Sequence, residues 1–245
     1  MKHTNCDLLM PRIVLAWLAS VLVILTGCTS TVSVPGIGRA YIPDSEFKVP
    51  GIMVLHTSGG PTKNETKFAD FLSENGYYAM TVNYRKGGGS VYSIPKAYDY
   101  LVAQPNVDAN NIAIVGFSLG AYTAFDIADR FSKDKSGDRR IRAVVSWFIG
   151  PSTARDTQAN PLHPATLFVH GDSDTWVTER QINTYCGYLE KNNITCQKVI
   201  YKDVGHAFDR PKSRRCWDCD GYVGWAYKDG KKQTVVFLDE ILKGK

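Results

Sequence analysis

Ser118 sits in the segment Gly116-Phe117-Ser118-Leu119-Gly120, with a glycine two positions to either side of the hydroxyl. An apolar run, NIAIVGF, leads into it, and a helical pattern, LGAYTAFDIADR, follows. That context makes the serine a candidate nucleophile on a sharp turn, where side chains at Gly116 or Gly120 would crowd the backbone. A serine hydroxyl is inert until a base takes its proton, and the base needs an acid to orient it. The chain has five histidines. His3 lies in the N-terminal segment, His56 ends an apolar run, and His163 and His170 flank another. His206, in Val204-Gly205-His206-Ala207-Phe208, follows the run 197–201 and is the candidate base. The candidate acids are Asp172 and Asp174, in the loop after run 166–170. The Leu119 N–H, at the start of a helix, could face a developing oxyanion. Together these residues could perform acyl transfer.

These groups must be carried by a framework. From Gly51 onward, apolar runs at 52–56, 77–84, 112–117, 141–149, 166–170 and 197–201 alternate with helical patterns near 63–75, 93–104, 119–132, 178–191 and 234–243. Near-continuous apolar strands separated by amphipathic helices predict a mostly parallel sheet covered on both faces, an α/β architecture. With 44% hydrophobic and 22% charged residues, the 245-residue chain has the composition of a globular domain. The formal charge of +5 is scattered rather than clustered, so no nucleic-acid partner is expected.

The segments GFSLGAYTA, FVHGDSD and VGHAF resemble those of the dienelactone-hydrolase-like branch of the α/β-hydrolases, over about residues 50 to 209. The resemblance implies the α/β-hydrolase fold and a triad in the chain order Ser118, Asp174, His206. It selects Asp174 over Asp172, the latter becoming a turn-stabilising residue. It also implies an oxyanion loop at His56-Thr57-Ser58-Gly59-Gly60, with the Ser58 N–H as partner to that of Leu119 and Thr57 as the alternative. Dienelactone hydrolases proper use cysteine, so Ser118 points to the serine members, which are mostly esterases. Neither a metal nor an organic cofactor is implied. Peptidases and thioesterases use the same triad, and a non-catalytic envelope binding protein on this fold would usually have lost one of its members.

Residues 13–25 form an apolar run behind Lys2 and Arg12, too short to span a bilayer comfortably and suited to a signal peptide. Leu25-Thr26-Gly27-Cys28 resembles a bacterial lipobox, implying cleavage before Cys28 and acylation of its thiol. With Thr29 next, the pattern is that of lipoproteins sorted to the outer membrane, facing the periplasm. Residues 28–50 read as a tether and entry to the fold, and 51–245 as the hydrolase domain. Cys186, Cys196, Cys216 and Cys219 are candidates for two disulfides, with three pairings open. A local Cys186–Cys196 bridge is within reach, and Cys216–Cys219 could close on itself. The Gly87-Gly88-Gly89 run reads as a flexible turn.

Only residues 150–164 separate the strand at 141–149 from the next, leaving no room for a cap domain. Residues 209–233 read as an extended loop carrying Arg210, Lys212, Arg214, Arg215, Trp217, Tyr222, Trp225 and Tyr227. Such a loop could wall a pocket for an anionic or carbohydrate-linked acyl substrate, or lie near lipid headgroups. The expected partners are therefore a small-molecule or carbohydrate-linked acyl substrate and a membrane, held through the lipid on Cys28.

Overall fold

A computed structural model of the chain describes residues 3–4, 29–84, 93–133, 139–149, 163–211 and 221–244. Among these residues eight strands form one sheet: β1 Ser30–Val34, β2 Gly38–Ile42, β3 Val49–Leu55, β4 Tyr78–Val82, β5 Val107–Phe117, β6 Ala143–Trp147, β7 Ala165–Gly171 and β8 Cys196–Tyr201. Their spatial order is β1-β2-β4-β3-β5-β6-β7-β8, with the two residues His3–Thr4 pairing as a ninth strand outside β1. The β1–β2 and β2–β4 pairs are antiparallel, and every pair from β4 to β8 is parallel. This is the α/β-hydrolase architecture, and no cap domain is found among the described residues.

The stretch read as a tether is corrected by this topology, because residues 30–42 fold into β1 and β2. Their Ser, Thr and Gly content disguises strands that are only partly buried. Val34 and Ala40 join one core and Tyr41 the other, while Ser33 and Arg39 face water. Gly36, at φ +73°, makes the turn between them.

Among the described residues five α-helices cover the sheet: α1 Lys63–Glu74, α2 Ser93–Val102, α3 Leu119–Ser132, α4 Glu179–Lys191 and α5 Gly224–Leu238. Successive strand residues point to opposite faces, so Met53, Leu55, Ile112 and Ile114 join one core with α2, α3 and α4. Ile52, Val54, Ala113 and Val115 join the other with α1 and α5. Both cores draw on residues 34 to 242 alone among the described residues, so residues 29–245 contain every described core residue.

The reading of 209–233 as an extended loop is corrected: α5 begins at Gly224, ten residues before the predicted helix. Glycines at 224 and 230 lower its local helix propensity and hid it. Gly230 is there for a tertiary reason, since a Cβ would meet Trp147 Cη2 at 2.5 Å. Cys186 of α4 and Cys196 of β8 are disulfide-bonded with Cα atoms 5.4 Å apart. Cys28, Cys216 and Cys219 lie outside the described residues, as do Gly87 to Gly89, Lys212, Arg214, Arg215, Trp217 and the segment 150–162. In a parallel sheet all strands end at one edge, and there the loops after β3, β5, β7 and β8 converge.

Candidate active site

Ser118 occupies the turn between β5 and α3 at φ 52°, ψ −113°, a left-handed conformation that costs a non-glycine residue about 1–3 kcal/mol. Its N–H donates to Trp147 O at 3.0 Å, tying the turn to β6. The neighbouring glycines are required by close approach. A Cβ on Gly116 would collide with the Gly120 carbonyl and Ala121 N, and one on Gly120 with Leu55 O and His56 O. The α3 helix therefore packs directly against β3, holding the hydroxyl over the sheet edge.

The base and the acid arrive from the next loops. His206 Nε2 lies 3.0 Å from Ser118 Oγ, and its Nδ1 lies 2.7 Å from Asp174 Oδ2. With Nδ1–H donating to the carboxylate, Nε2 presents its lone pair to the serine hydroxyl. Asp174 Oδ1 accepts from the backbone N–H of Trp176 at 2.8 Å and of Val177 at 3.4 Å, so both carboxylate oxygens are held. Burial alone would raise the Asp174 pKa. The hydrogen bond and charge of His206, the charge of His170 and the Trp176 N–H outweigh it and keep the carboxyl below its usual range. His170 Nε2 sits 3.6 Å from Asp174 but donates to Val177 O at 2.7 Å, and burial lowers its pKa. Asp172 turns away, its Oδ1 accepting from Asp203 N at 2.7 Å. His56 and His163 serve elsewhere, the former donating from Nδ1 to Thr57 O and the latter bonded to Tyr185.

Ser118 and His206 open onto a pocket of about 410 Å³. Thr57, Ser58 and Gly59 form one wall, Trp176 another, and the first turn of α1 with Arg210 the far side. Leu119 is the first residue of α3, where the N–H groups have no acceptor within the helix. Ser58, exposed at the rim, belongs to a tight turn closed by Gly60 N to Thr57 O at 3.1 Å. The pocket thus brings together Ser118, His206 and Ser58, with Asp174 buried behind. Such an array can deprotonate a hydroxyl, hold the proton and return it.

The model of the dienelactone hydrolase family matches residues 90–242, more than half of the chain. The chain belongs to the dienelactone hydrolase family. A Salmonella typhimurium protein provisionally named as a carboxymethylenebutenolidase is 25% identical over 128 residues, 48% of this chain and 44% of that one. The match therefore spans less than half the length of this curated relative. Among solved structures, a dienelactone hydrolase-like promiscuous phosphotriesterase from metagenomic libraries superposes with a TM-score of 0.69 at 16% identity, covering 88% of this chain and 93% of that one. A Pyrobaculum calidifontis esterase gives 0.67 at 14%, over 87% and 81%. Thermogutta terrifontis esterase 2, phosphorylated by paraoxon, gives 0.66 at 16%, over 89% and 95%. At these identities the likeness concerns the fold.

Two features of this dienelactone hydrolase family member escaped the sequence reading. Trp176, two residues after Asp174, stacks on His206 with ring centroids 5.2 Å apart and planes 14° from parallel. Arg210, four residues after His206, reads from the sequence only as a loop cation, yet its side chain, 11% exposed, lies between two carboxylates. Its Nη2 lies 3.0 Å from Glu65 Oε1 and 2.6 Å from Asp209 Oδ2, and its Nη1 donates to Thr57 Oγ1 at 3.2 Å. Glu65 also accepts from Thr62 N at 2.8 Å, capping α1, and Asn64 Nδ2 reaches Asp209 O at 3.1 Å. The cluster ties the His206 loop to α1 and to the turn bearing Ser58. The periodicity of α1 gave no sign of it, because Glu65 reads from the sequence as an ordinary first-turn acid.

Proposed function

We propose that this chain is a serine hydrolase that cleaves a carboxylic ester, or a related acyl bond, by two-step acyl transfer. The observation that carries the reading is His206 bridging Ser118 and Asp174 at 3.0 and 2.7 Å. Family membership and the named esterases among its structural relatives support an ester as the bond cleaved. Ser118 Oγ attacks the carbonyl carbon as His206 Nε2 takes its proton. Asp174 fixes the imidazole tautomer and stabilises the imidazolium. The N–H groups of Leu119 and Ser58 receive the oxyanion, whose stabilisation by a single donor is worth about 3–4 kcal/mol in related chemistry. The proton passes to the leaving alcohol, and water, deprotonated in turn by His206, releases the acid and restores Ser118. A pocket of about 410 Å³ suits a small-molecule ester.

The test is labelling by a fluorophosphonate probe, comparing wild type with Ser118→Ala and His206→Ala. Labelling abolished in both variants is the expected result. A folded wild-type protein that does not label would remove the nucleophile and favour a binding role.

We further propose that the mature protein is exported and held in the bacterial envelope by acylation of Cys28, on the outer membrane facing the periplasm. The lipobox-like segment 25–28 behind an apolar run supports this reading, as does the Cys186–Cys196 disulfide, which suits an oxidising compartment.

A further inference from the structure

Helix α5 has an outward face as well defined as its buried one. Trp225, Lys228, Lys232 and Val236 follow at spacings of three and four residues, and Lys231 and Val235 form the adjoining row. Trp225 is 59% and Val236 53% exposed, values unusual for large apolar side chains. Between this face and α1 runs a groove of about 270 Å³, floored by Phe71, Val235 and Val236 and ringed by the three lysines. Lys231 Nζ stands 4.0 Å over the Phe71 ring. Glu74 is the carboxylate whose field reaches Lys231. Other nearby acids are engaged: Asp229 with the Tyr201 hydroxyl at 2.8 Å, and Asp239 with the Tyr77 hydroxyl at 2.6 Å and Lys243 at 2.8 Å. Cations beside exposed indole and aliphatic groups are what a helix lying in a bilayer interface presents.

The chain enters the fold against the same helix α1. The hydroxyl of Thr29, the residue after Cys28, is 3.4 Å from Asp70 of α1. A lipid on Cys28 would join the chain one residue before this contact. One acyl chain gives only marginal membrane binding and gains stability from a basic patch. We propose that the α1–α5 face is the membrane-docking surface, with Lys228, Lys231 and Lys232 on anionic phospholipid headgroups and Trp225 and Val236 in the interface. The orientation rests on the proposed anchorage at Cys28; the affinity for headgroups does not. The active-site pocket is lined by the first turn of α1, whose Asn64 is about 11 Å along the helix axis from Phe71.

The experiment is cosedimentation of residues 29–245, without lipid, with vesicles of phosphatidylcholine alone or mixed with phosphatidylglycerol. Wild type is compared with the triple variant Lys228→Gln, Lys231→Gln, Lys232→Gln and with a control triple at the exposed Lys48, Lys191 and Lys202. Wild type and control should prefer the anionic vesicles equally. The patch triple should bind on the order of a hundredfold more weakly, about fivefold per lysine. Its esterase activity should be unchanged, separating the effect from misfolding. Equal losses in the two triples, or no preference for anionic vesicles, would overturn the proposal. Acylation is read separately, by palmitate labelling of the full chain and its Cys28→Ala variant. Labelled wild type with no headgroup preference keeps the anchor and rejects the face. Headgroup preference without labelling keeps the face and rejects the anchor.

Discussion

The indole of Trp176 lies almost parallel to the imidazole of His206, ring centroids 5.2 Å apart, while Phe148 presents its ring edge-on from 5.3 Å. Once His206 holds the serine proton it is a cation against an electron-rich aromatic face, an arrangement worth about 0.5–2 kcal/mol. That attraction grows as the proton moves, so it acts on the rate rather than on binding alone. Trp176→Ala should slow acylation about tenfold, on the order of 1 kcal/mol, and Trp176→Phe should retain most of the rate. Time courses of labelling by a small fluorophosphonate measure this with little contribution from the pocket wall. Equal rates in wild type and the alanine variant would reduce Trp176 to a lining residue.

Asp174→Asn tests the tautomer. Asp174 Oδ1 already accepts from the Trp176 and Val177 N–H groups, so the asparagine carbonyl oxygen belongs there. The amide NH₂ then faces His206 Nδ1 and donates to it, moving the ring proton to Nε2, where it blocks acceptance from Ser118. A loss of about 10⁴ in kcat is expected with the fold intact, as for the same change in the triad of serine proteases. Steady-state hydrolysis of a p-nitrophenyl ester, with circular dichroism as the folding control, checks it. Activity within tenfold of wild type would mean that His206 is oriented by other contacts.

One guanidinium between two carboxylates cannot neutralise both, and Glu65 and Asp209 divide unequally around Arg210. Burial opposes the charge on Glu65, but Arg210 and the Thr62 hydrogen bond overcome it and lower its pKa. For Asp209 burial prevails and the pKa is raised. The stability from Glu65 is complete above the ordinary carboxylate range and is lost as pH falls through its lowered folded value. That from Asp209 is complete below its ordinary value and is lost as pH rises through its raised one. Between acid and neutral pH, the Tm of Glu65→Gln relative to wild type should therefore fall as pH rises, and that of Asp209→Asn should climb. Thermal melts across that range decide the matter, and the same direction in both variants would refute the division.

Much of this arrangement was legible in the sequence because it is local. The strand, turn and helix around Ser118 lie within one continuous segment, and the glycines at 116 and 120 declare the close approach that the packing of α3 on β3 then requires. His206 and Asp174 each follow directly on an apolar strand, so a parallel sheet brings them to one edge without further information. Trp176 and Arg210 were illegible for the opposite reason. The stacking of Trp176 depends on where the β8 loop delivers His206, and the role of Arg210 depends on Glu65, 145 residues earlier. In β1 and β2 polar, partly exposed strands mimic a linker, because their intermediate and exposed positions lack the apolar signal that marked the central strands.

The start of α5 is the sharpest conflict between local preference and tertiary packing, and Gly230 exposes it. On a free helix surface Gly→Ala would stabilise by about 1 kcal/mol. Here the new methyl would meet Trp147 Cη2 at 2.5 Å and Val169 Cγ1 at 2.9 Å. The Trp147 ring is poorly placed to yield. Its Nε1 donates to Thr234 Oγ1 at 3.2 Å, and Phe68, Phe117 and Phe208 crowd it at 5.4 to 5.7 Å between centroids. Overpacking of this kind costs about 1–3 kcal/mol, so the sign reverses. Gly230→Ala should lose about 1–2 kcal/mol in urea unfolding, and Trp147→Phe should show a smaller penalty for the same substitution. A stabilised Gly230→Ala variant would mean that α5 sits farther from the sheet than the packing of Gly230 on Trp147 requires.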